Sequence, residues 1–201
     1  MKYDTDYFIH INNTKNEGNC QDMNIKIKKI VYIALFAAIF VILGKFVTFD
    51  FTVPGVTSMK ITIKSLPVYV GAIMLGPFEG AIIGLLGELL IQLTGQYGFT
   101  ATTLFWTMPY VVIGAICGVA FENKVIKING GIKYWVFIIS LQMLLTFLNT
   151  LVIFIDSMIF GYYSFVYVFG SLIVRLMSSI LVGIIYSIVL PFMINAIKKI
   201  H

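Results

Sequence analysis

The chain has 201 residues, 59% of them hydrophobic and 11% charged, with a formal net charge of +5 at pH 7. Soluble domains are nearer half apolar and a quarter charged, and so short a chain cannot hide that much apolar surface within itself, which excludes an ordinary water-soluble fold. The lysines sit at the ends of apolar runs rather than along a stripe, so the positive charge does not mark a nucleic-acid surface.

Residues 1–24 are polar and of mixed charge. They lack the basic start, short apolar run and small-residue cleavage site of a secretory signal. They are expected to form a loosely ordered cytoplasmic tail, leaving residues 25–201 as one transmembrane domain. Crossing about 30 Å of hydrocarbon takes roughly 20 apolar residues in a helix. On that rule the spans fall at residues 30–47, 61–75, 78–93, 102–121, 134–155 and 165–197. Asp50 to Lys60 form the first polar break, Gly76-Pro77 a tight turn, Thr94 to Gly98 a loop, and Glu122 to Gly131 a charged loop. The second span is short, so its ends must tilt or bury against protein, and the last is long, with a kink expected near Pro191. The fold class is an all-α integral membrane protein, a bundle of six transmembrane helices.

Orientation follows from the lysines. Lys26, Lys28 and Lys29, then Lys124, Lys127 and Lys133, then Lys198 and Lys199 fall on one side, against Lys45, Lys60 and Lys64 on the other. Positive residues favour the cytoplasm, which puts both termini inside and makes this a multi-pass protein of the cell membrane.

Several chemistries lack their residues. The histidines, His10 and His201, lie at the two ends of the chain, so no intramembrane serine–histidine or zinc–histidine site can be built. No Gly-x-x-x-x-Gly-Lys-[Ser/Thr] loop is present, so this chain does not hydrolyse ATP. There is no Asp-rich metal cluster, and Cys20 and Cys117 make no disulfide framework. No enzyme, cofactor, metal or nucleic-acid partner is expected.

Ionisable groups within hydrocarbon are costly and face a partner or a cavity. Glu88, in the third span, lies about 9 Å from the outer end of its helix, and Arg175 about 14 Å in, at a rise of ~1.5 Å per residue. Gln92 is one turn outward from Glu88 on the same face. Thr102, Thr103 and Trp106 open the fourth span, Asn149 and Thr150 approach the outer end of the fifth, and Lys60 and Lys64 start the second. The inner halves are almost purely apolar. Polar groups converging from one side describe a pocket open to the outside, whereas a channel would show them at all depths. Tyr97, Phe99 and Trp106 are placed to stack on or cover a flat ring. Blander roles compete: Glu88 and Arg175 pair with each other, Asn149 bonds a neighbouring helix, Trp106 anchors at the interface, and the lysines snorkel to headgroups.

Small residues recur at helical spacing. Ala34 and Ala38 share a face of the first span, Gly76, Gly80 and Gly84 form a strip, and Gly114 and Gly118 another. Such strips let helices approach closely. Internal packing is expected for the glycines and an outward position for the alanines.

Taken together, the chain resembles the substrate-binding S components of energy-coupling factor vitamin transporters. The resemblance rests on size, span number, Ala34-x-x-x-Ala38, the Leu75-Gly76-Pro77-Phe78-Glu79-Gly80-Ala81 turn, and the run from Gly87-Glu88 to Gly98-Phe99-Thr100 followed by Pro109 and Gly114. It covers roughly residues 30–197. It implies a non-enzymatic subunit that captures a water-soluble vitamin and passes it through a transmembrane coupling subunit driven by two ATP-binding subunits, with Ala34 and Ala38 at the docking face. Tyr97-Gly98-Phe99-Thr100 is similar to a segment of folate-type members, without the proline before Gly98, and pantothenate-type members look comparably similar. A carboxylate ligand would then meet Arg175 and Lys64, with Glu88, Gln92, Thr103 and Asn149 available for hydrogen bonds and Phe99 and Trp106 for packing. The rival readings are a structural or regulatory membrane subunit, whose outer polar residues pair among themselves, and a standalone secondary transporter, expected to show repeats and midplane polar groups on broken helices.

Overall fold

The computed structural model describes residues 19–51, 59–95, 98–128, 131–170 and 172–200. Among them are seven helices, α1 (Asn19–Phe46), α2 (Leu66–Leu75), α3 (Pro77–Leu93), α4 (Thr103–Glu122), α5 (Ile132–Ile159), α6 (Phe165–Phe169) and α7 (Leu172–Ile200), with strands β1 (Thr48–Phe51) and β2 (Met59–Thr62) between α1 and α2. In hydrocarbon each backbone amide needs a partner within its own segment, which makes helix the outcome for these apolar runs.

Among the described residues, four stretches are long and apolar enough to cross a membrane: Ile27–Phe46, Thr103–Glu122, Ile132–Ile159 and Phe165–Ile197. The expected second span differs most. Its first residues belong to β2, paired antiparallel with β1 so that Thr48 faces Thr62 and Phe51 faces Met59. Helix begins only at Leu66 and lasts 10 residues, or roughly 15 Å. So short a helix does not cross the bilayer unaided, and protein surrounds it: Leu66 through Ala72 are all buried, with α1, α3, α4 and α7 packed about it. Of the expected tail, residues 1–18 lie outside the described ones, and α1 already includes residues 19–24. At the other end of the chain, α7 continues through Pro191, and the interruption falls instead after Phe169.

Gly76 ends α2 at φ 120° and ψ 177°, a conformation that L side chains rarely adopt. Pro77 then opens α3, where its missing N–H costs nothing. The chain reverses there, because a Cβ on Gly80 would lie 2.7 Å from the Ala72 Cα. The two glycine strips meet in an antiparallel α3–α4 seam. A Cβ on Gly114 would lie 2.5 Å from the Gly80 carbonyl oxygen, one on Gly84 2.7 Å from that of Tyr110, and one on Gly118 2.3 Å from the Pro77 Cα. Only hydrogen at these positions lets the two backbones touch.

α1 runs parallel to α3, tied at one end by Lys29 Nζ to Glu79 Oε1 at 2.9 Å and at the other by Lys45 Nζ to the Thr94 carbonyl at 3.2 Å. The first tie is largely buried, its side chains 28% and 16% exposed. α5 packs antiparallel to α4, as the Phe121–Tyr134 rings show, and to α7, since Ile139 lies beside Gly183 while Phe154, further along α5, meets Phe169 just before α7 begins. The start of α1, the α2–α3 and α4–α5 turns and the end of α7 therefore lie at one end of the bundle, and the β hairpin at the other. Phe40, Tyr69, Ile83, Ile113, Ile138 and Tyr186 form the centre of the core. Ile173, Met177, Leu181, Ile185, Ile188 and Phe192 leave an exposed apolar stripe along α7, the surface lipid would cover.

Candidate functional site

Lys64 follows β2 and precedes α2, and its backbone N–H donates to Thr62 Oγ1 at 3.1 Å. Its stem passes Gly44, where a Cβ would come within 3.3 Å of Lys64 Cδ. The ammonium donates to Glu88 Oε2 at 2.6 Å, with the two side chains 15% and 3% exposed. Glu88 Oε1 accepts from Gln92 Nε2 at 3.1 Å, one turn further along α3. Lys64 Nζ also stands 4.8 Å from the centre of the Tyr110 ring and 5.6 Å from that of Phe40. These two rings meet edge to face at 5.3 Å. From α5, the Asn149 side chain reaches the Tyr110 hydroxyl. An isolated charge here would be prohibitive, and a carboxylate with two aromatic faces offsets the loss of water. The site as a whole carries no net charge.

Below this cluster, toward the bundle centre, the Tyr69 hydroxyl donates to Gln142 Oε1 at 3.1 Å, and Ser65 Oγ and the Tyr186 hydroxyl lie 2.9 Å apart. Gln142 breaks the expected apolarity of the inner halves, and Tyr69 satisfies its carbonyl in place. Two turns outward from Tyr110, a second cluster gathers around Asp156: Thr102 Oγ1 donates to Oδ1 and the Tyr162 hydroxyl to Oδ2. Burial, with the Asp156 carboxylate beside it, pushes the Tyr162 phenol above its ordinary pKa.

Four of the expected residues, Lys64, Glu88, Gln92 and Asn149, thus surround one point. Thr103 belongs to the outer cluster, accepting from the Thr100 N–H at 2.9 Å. Trp106 is half-buried one turn outward from Tyr110, and Phe99 is 64% exposed. Arg175 stands apart, half-buried on α7 near Tyr167. The Glu88–Arg175 bridge is not formed, because Lys64 takes that carboxylate. Tyr97 lies outside the described residues, as does the side chain of Lys60. Ala34 and Ala38 are exposed on α1, while Phe36, Ala37 and Phe40 turn inward. Sequence reading missed Phe40, Tyr110 and Asp156. Tyr110 carried a signal, being a polar-tipped aromatic directly after Pro109 inside an apolar helix.

Toward one end of the helical bundle the described residues thus sink a charge-neutral polar cluster against two aromatic rings. The family model for "ECF-type riboflavin transporter, S component" matches residues 24–199, and the chain belongs to that family, one of membrane-embedded transport subunits rather than enzymes. Among curated proteins, a "UPF0397 protein" of Clostridium perfringens (strain SM101 / Type A) is 31% identical over 108 residues, which is 54% of either chain. A "UPF0397 protein" of Enterococcus faecalis (strain ATCC 700802 / V583) is 33% identical over 96 residues, 48% of this chain and 49% of its own. The matched region therefore spans about half the length of these curated relatives.

Proposed function

We propose that this protein is the substrate-capture subunit of an energy-coupling factor importer, taking an uncharged, flat, hydroxyl-bearing vitamin of the riboflavin class at the Lys64–Glu88–Tyr110 cluster. The observation that carries this reading is the neutrality of the site. Lys64 and Glu88 cancel each other, which leaves donors, acceptors and aromatic faces but no spare charge. An uncharged ligand can exchange hydrogen bonds with such a pair, whereas a carboxylate would have to take Lys64 from Glu88 and leave a buried acid unpaired. The family's description, riboflavin, agrees with that chemistry.

The hairpin end faces outward on the lysine bias, with both termini cytoplasmic and α2 completing a six-segment topology. Without a phosphate loop in this chain, ATP must be used by partners: two ATP-binding subunits acting through a coupling subunit that docks on Ala34 and Ala38 of α1. Replacing either alanine with tryptophan should abolish co-purification with the coupling subunit and leave ligand binding intact. Loss of both together would remove the docking assignment.

A carboxylate ligand of the folate or pantothenate type is the second reading. Arg175 favours it, as a half-buried cation without an ion pair among the described residues. Thermal shift of the purified protein with riboflavin, folate and pantothenate separates the two, since stabilisation grows with the logarithm of ligand over Kd. The first reading predicts a riboflavin shift unchanged by Arg175→Ala. The second predicts a folate or pantothenate shift that this substitution removes. Silence to all three would favour the structural-subunit reading.

A further inference from the structure

Gln142, in the middle of α5, is a buried amide with only half of its hydrogen-bonding capacity in use. The residue is 6% exposed. Its side-chain carbonyl accepts from the Tyr69 hydroxyl at 3.1 Å, and its backbone carbonyl accepts from Thr146 Oγ1 at 3.1 Å. The amide nitrogen, with two N–H donors, makes no hydrogen bond among the described residues. Nor is that nitrogen sealed off. Among the described residues, the Tyr134 hydroxyl is the buried side-chain polar atom that lacks both a partner and accessible surface. The Gln142 nitrogen therefore borders open space, inside a residue that is otherwise enclosed. Packing alone gives no reason for this, since a leucine or methionine would fill the volume without burying a donor that goes unused.

Two features join this nitrogen to the Lys64–Glu88 cluster. On α5, Asn149 stands seven residues beyond Gln142, two turns outward on the same face, a rise of about 10 Å. Asn149 in turn reaches the Tyr110 hydroxyl. On α2, Tyr69 follows Lys64 by five residues, and the Tyr69, Tyr110 and Tyr186 hydroxyls lie near enough to act on one another electrostatically. The Tyr69 and Tyr186 rings meet edge to face at 5.4 Å. Polar groups thus continue inward from the charged pair and end at Gln142, where the donor is neutral and its neighbours are aromatic.

The two ends of this path suit different chemistry. Lys64, Glu88, Gln92 and Asn149 mix donors and acceptors, as hydroxyl groups require, each being both. Gln142 offers N–H groups alone. They match a carbonyl oxygen in the plane of a flat ring and supply no counter-charge for a buried carboxylate.

We propose that Gln142 is a specificity-determining residue at the inner end of the site, its amide N–H donating to a ring carbonyl of the ligand while the hydroxyl-bearing chain meets the Lys64–Glu88 pair. Tyr69 holds the other end of the amide, so that the N–H side faces the ligand. This role rests on the riboflavin-class capture proposed above and adds which end of the vitamin enters first.

The test is titration of the purified protein with riboflavin and with lumiflavin, the same ring bearing a methyl group in place of the hydroxyl chain, followed by quenching of their fluorescence. Gln142→Met keeps the length of the side chain and removes the donors. It should weaken both compounds by the same factor, roughly 10- to 100-fold, as an unpaired buried carbonyl implies. Tyr69→Phe breaks the same Tyr69–Gln142 bond but keeps the donors, and should lose far less affinity. The double variant Tyr69→Phe/Gln142→Met leaves neither group unpaired, which guards the fold, and should bind as poorly as Gln142→Met. Equal losses in the two single variants would reduce the pair to a structural tie and overturn the contact. Unchanged riboflavin affinity in Gln142→Met or in the double variant would overturn it as well. A wild type that binds riboflavin yet not lumiflavin, or a Gln142→Met loss confined to riboflavin, would overturn the ring placement. Binding of neither compound by the wild type would instead remove the riboflavin-class reading, and this role with it.

Discussion

Replacing Glu88 with alanine should cost about 3–5 kcal/mol of stability, because it strands the Lys64 ammonium between two aromatic rings with its carboxylate gone. The informative companion is the double variant Lys64→Met/Glu88→Leu. Buried ion pairs are often replaced by apolar residues at little net cost, so the double should recover most of the loss. If the pair exists to meet a ligand, the recovered protein will no longer bind one. Reversible unfolding in detergent gives the first quantity and ligand-induced thermal shift the second. A double variant that is stable and still binds would reduce the pair to a structural tie between α2 and α3.

The glycine seam should be nearly as sensitive. Gly114→Ala puts a methyl carbon 2.5 Å from the Gly80 carbonyl oxygen, and a backbone cannot rotate aside as a side chain can. Overpacking of this kind costs about 1–3 kcal/mol, and Gly114→Val should exceed that. Gly44→Ala is the control. Its Cβ would come 2.4 Å from Ile91 Cδ1, the far end of a flexible side chain that can change rotamer, so its effect should be small. Gly84→Ala has a second consequence, since its Cβ meets the Tyr110 backbone and would shift the ring that covers Lys64. Ligand affinity should fall with stability there, whereas Gly118→Ala, at the far end of the seam, should lower stability alone. Equal losses of affinity in both would show that the seam acts on the site only through global stability.

Much of this was legible in the residue order. Apolar runs long enough to span, the Gly76-Pro77 reversal and the one-ended gathering of Lys64, Glu88, Gln92 and Asn149 all follow from local chemistry. The hairpin was not, because its first strand fell in or beside the polar break of Asp50 to Lys60, its second ran on into the expected second span from residue 61, and pairing between strands is a tertiary choice. Nor was the short α2, whose apolar residues look the same whether lipid or protein covers them. The failed Glu88–Arg175 pairing has a related cause. Counting residues gives depth along a helix but not which way a side chain faces around the bundle, and α7 turns Arg175 toward Tyr167. Phe40 and Tyr110 were hidden among other aromatics until the fold placed both against one ammonium.

The cancellation of charge at Lys64 and Glu88 also has an electrical consequence. One unit charge moved through a membrane potential gains or loses about 2.3 kcal/mol per 100 mV. A neutral ligand settling onto a neutral pair carries no charge into that field, so capture neither draws on the cell's voltage nor opposes it. Under the proposed function the site would fill equally well in an energised or a depolarised cell, and nucleotide hydrolysis by the proposed ATP-binding partners would be the step that gives import its direction.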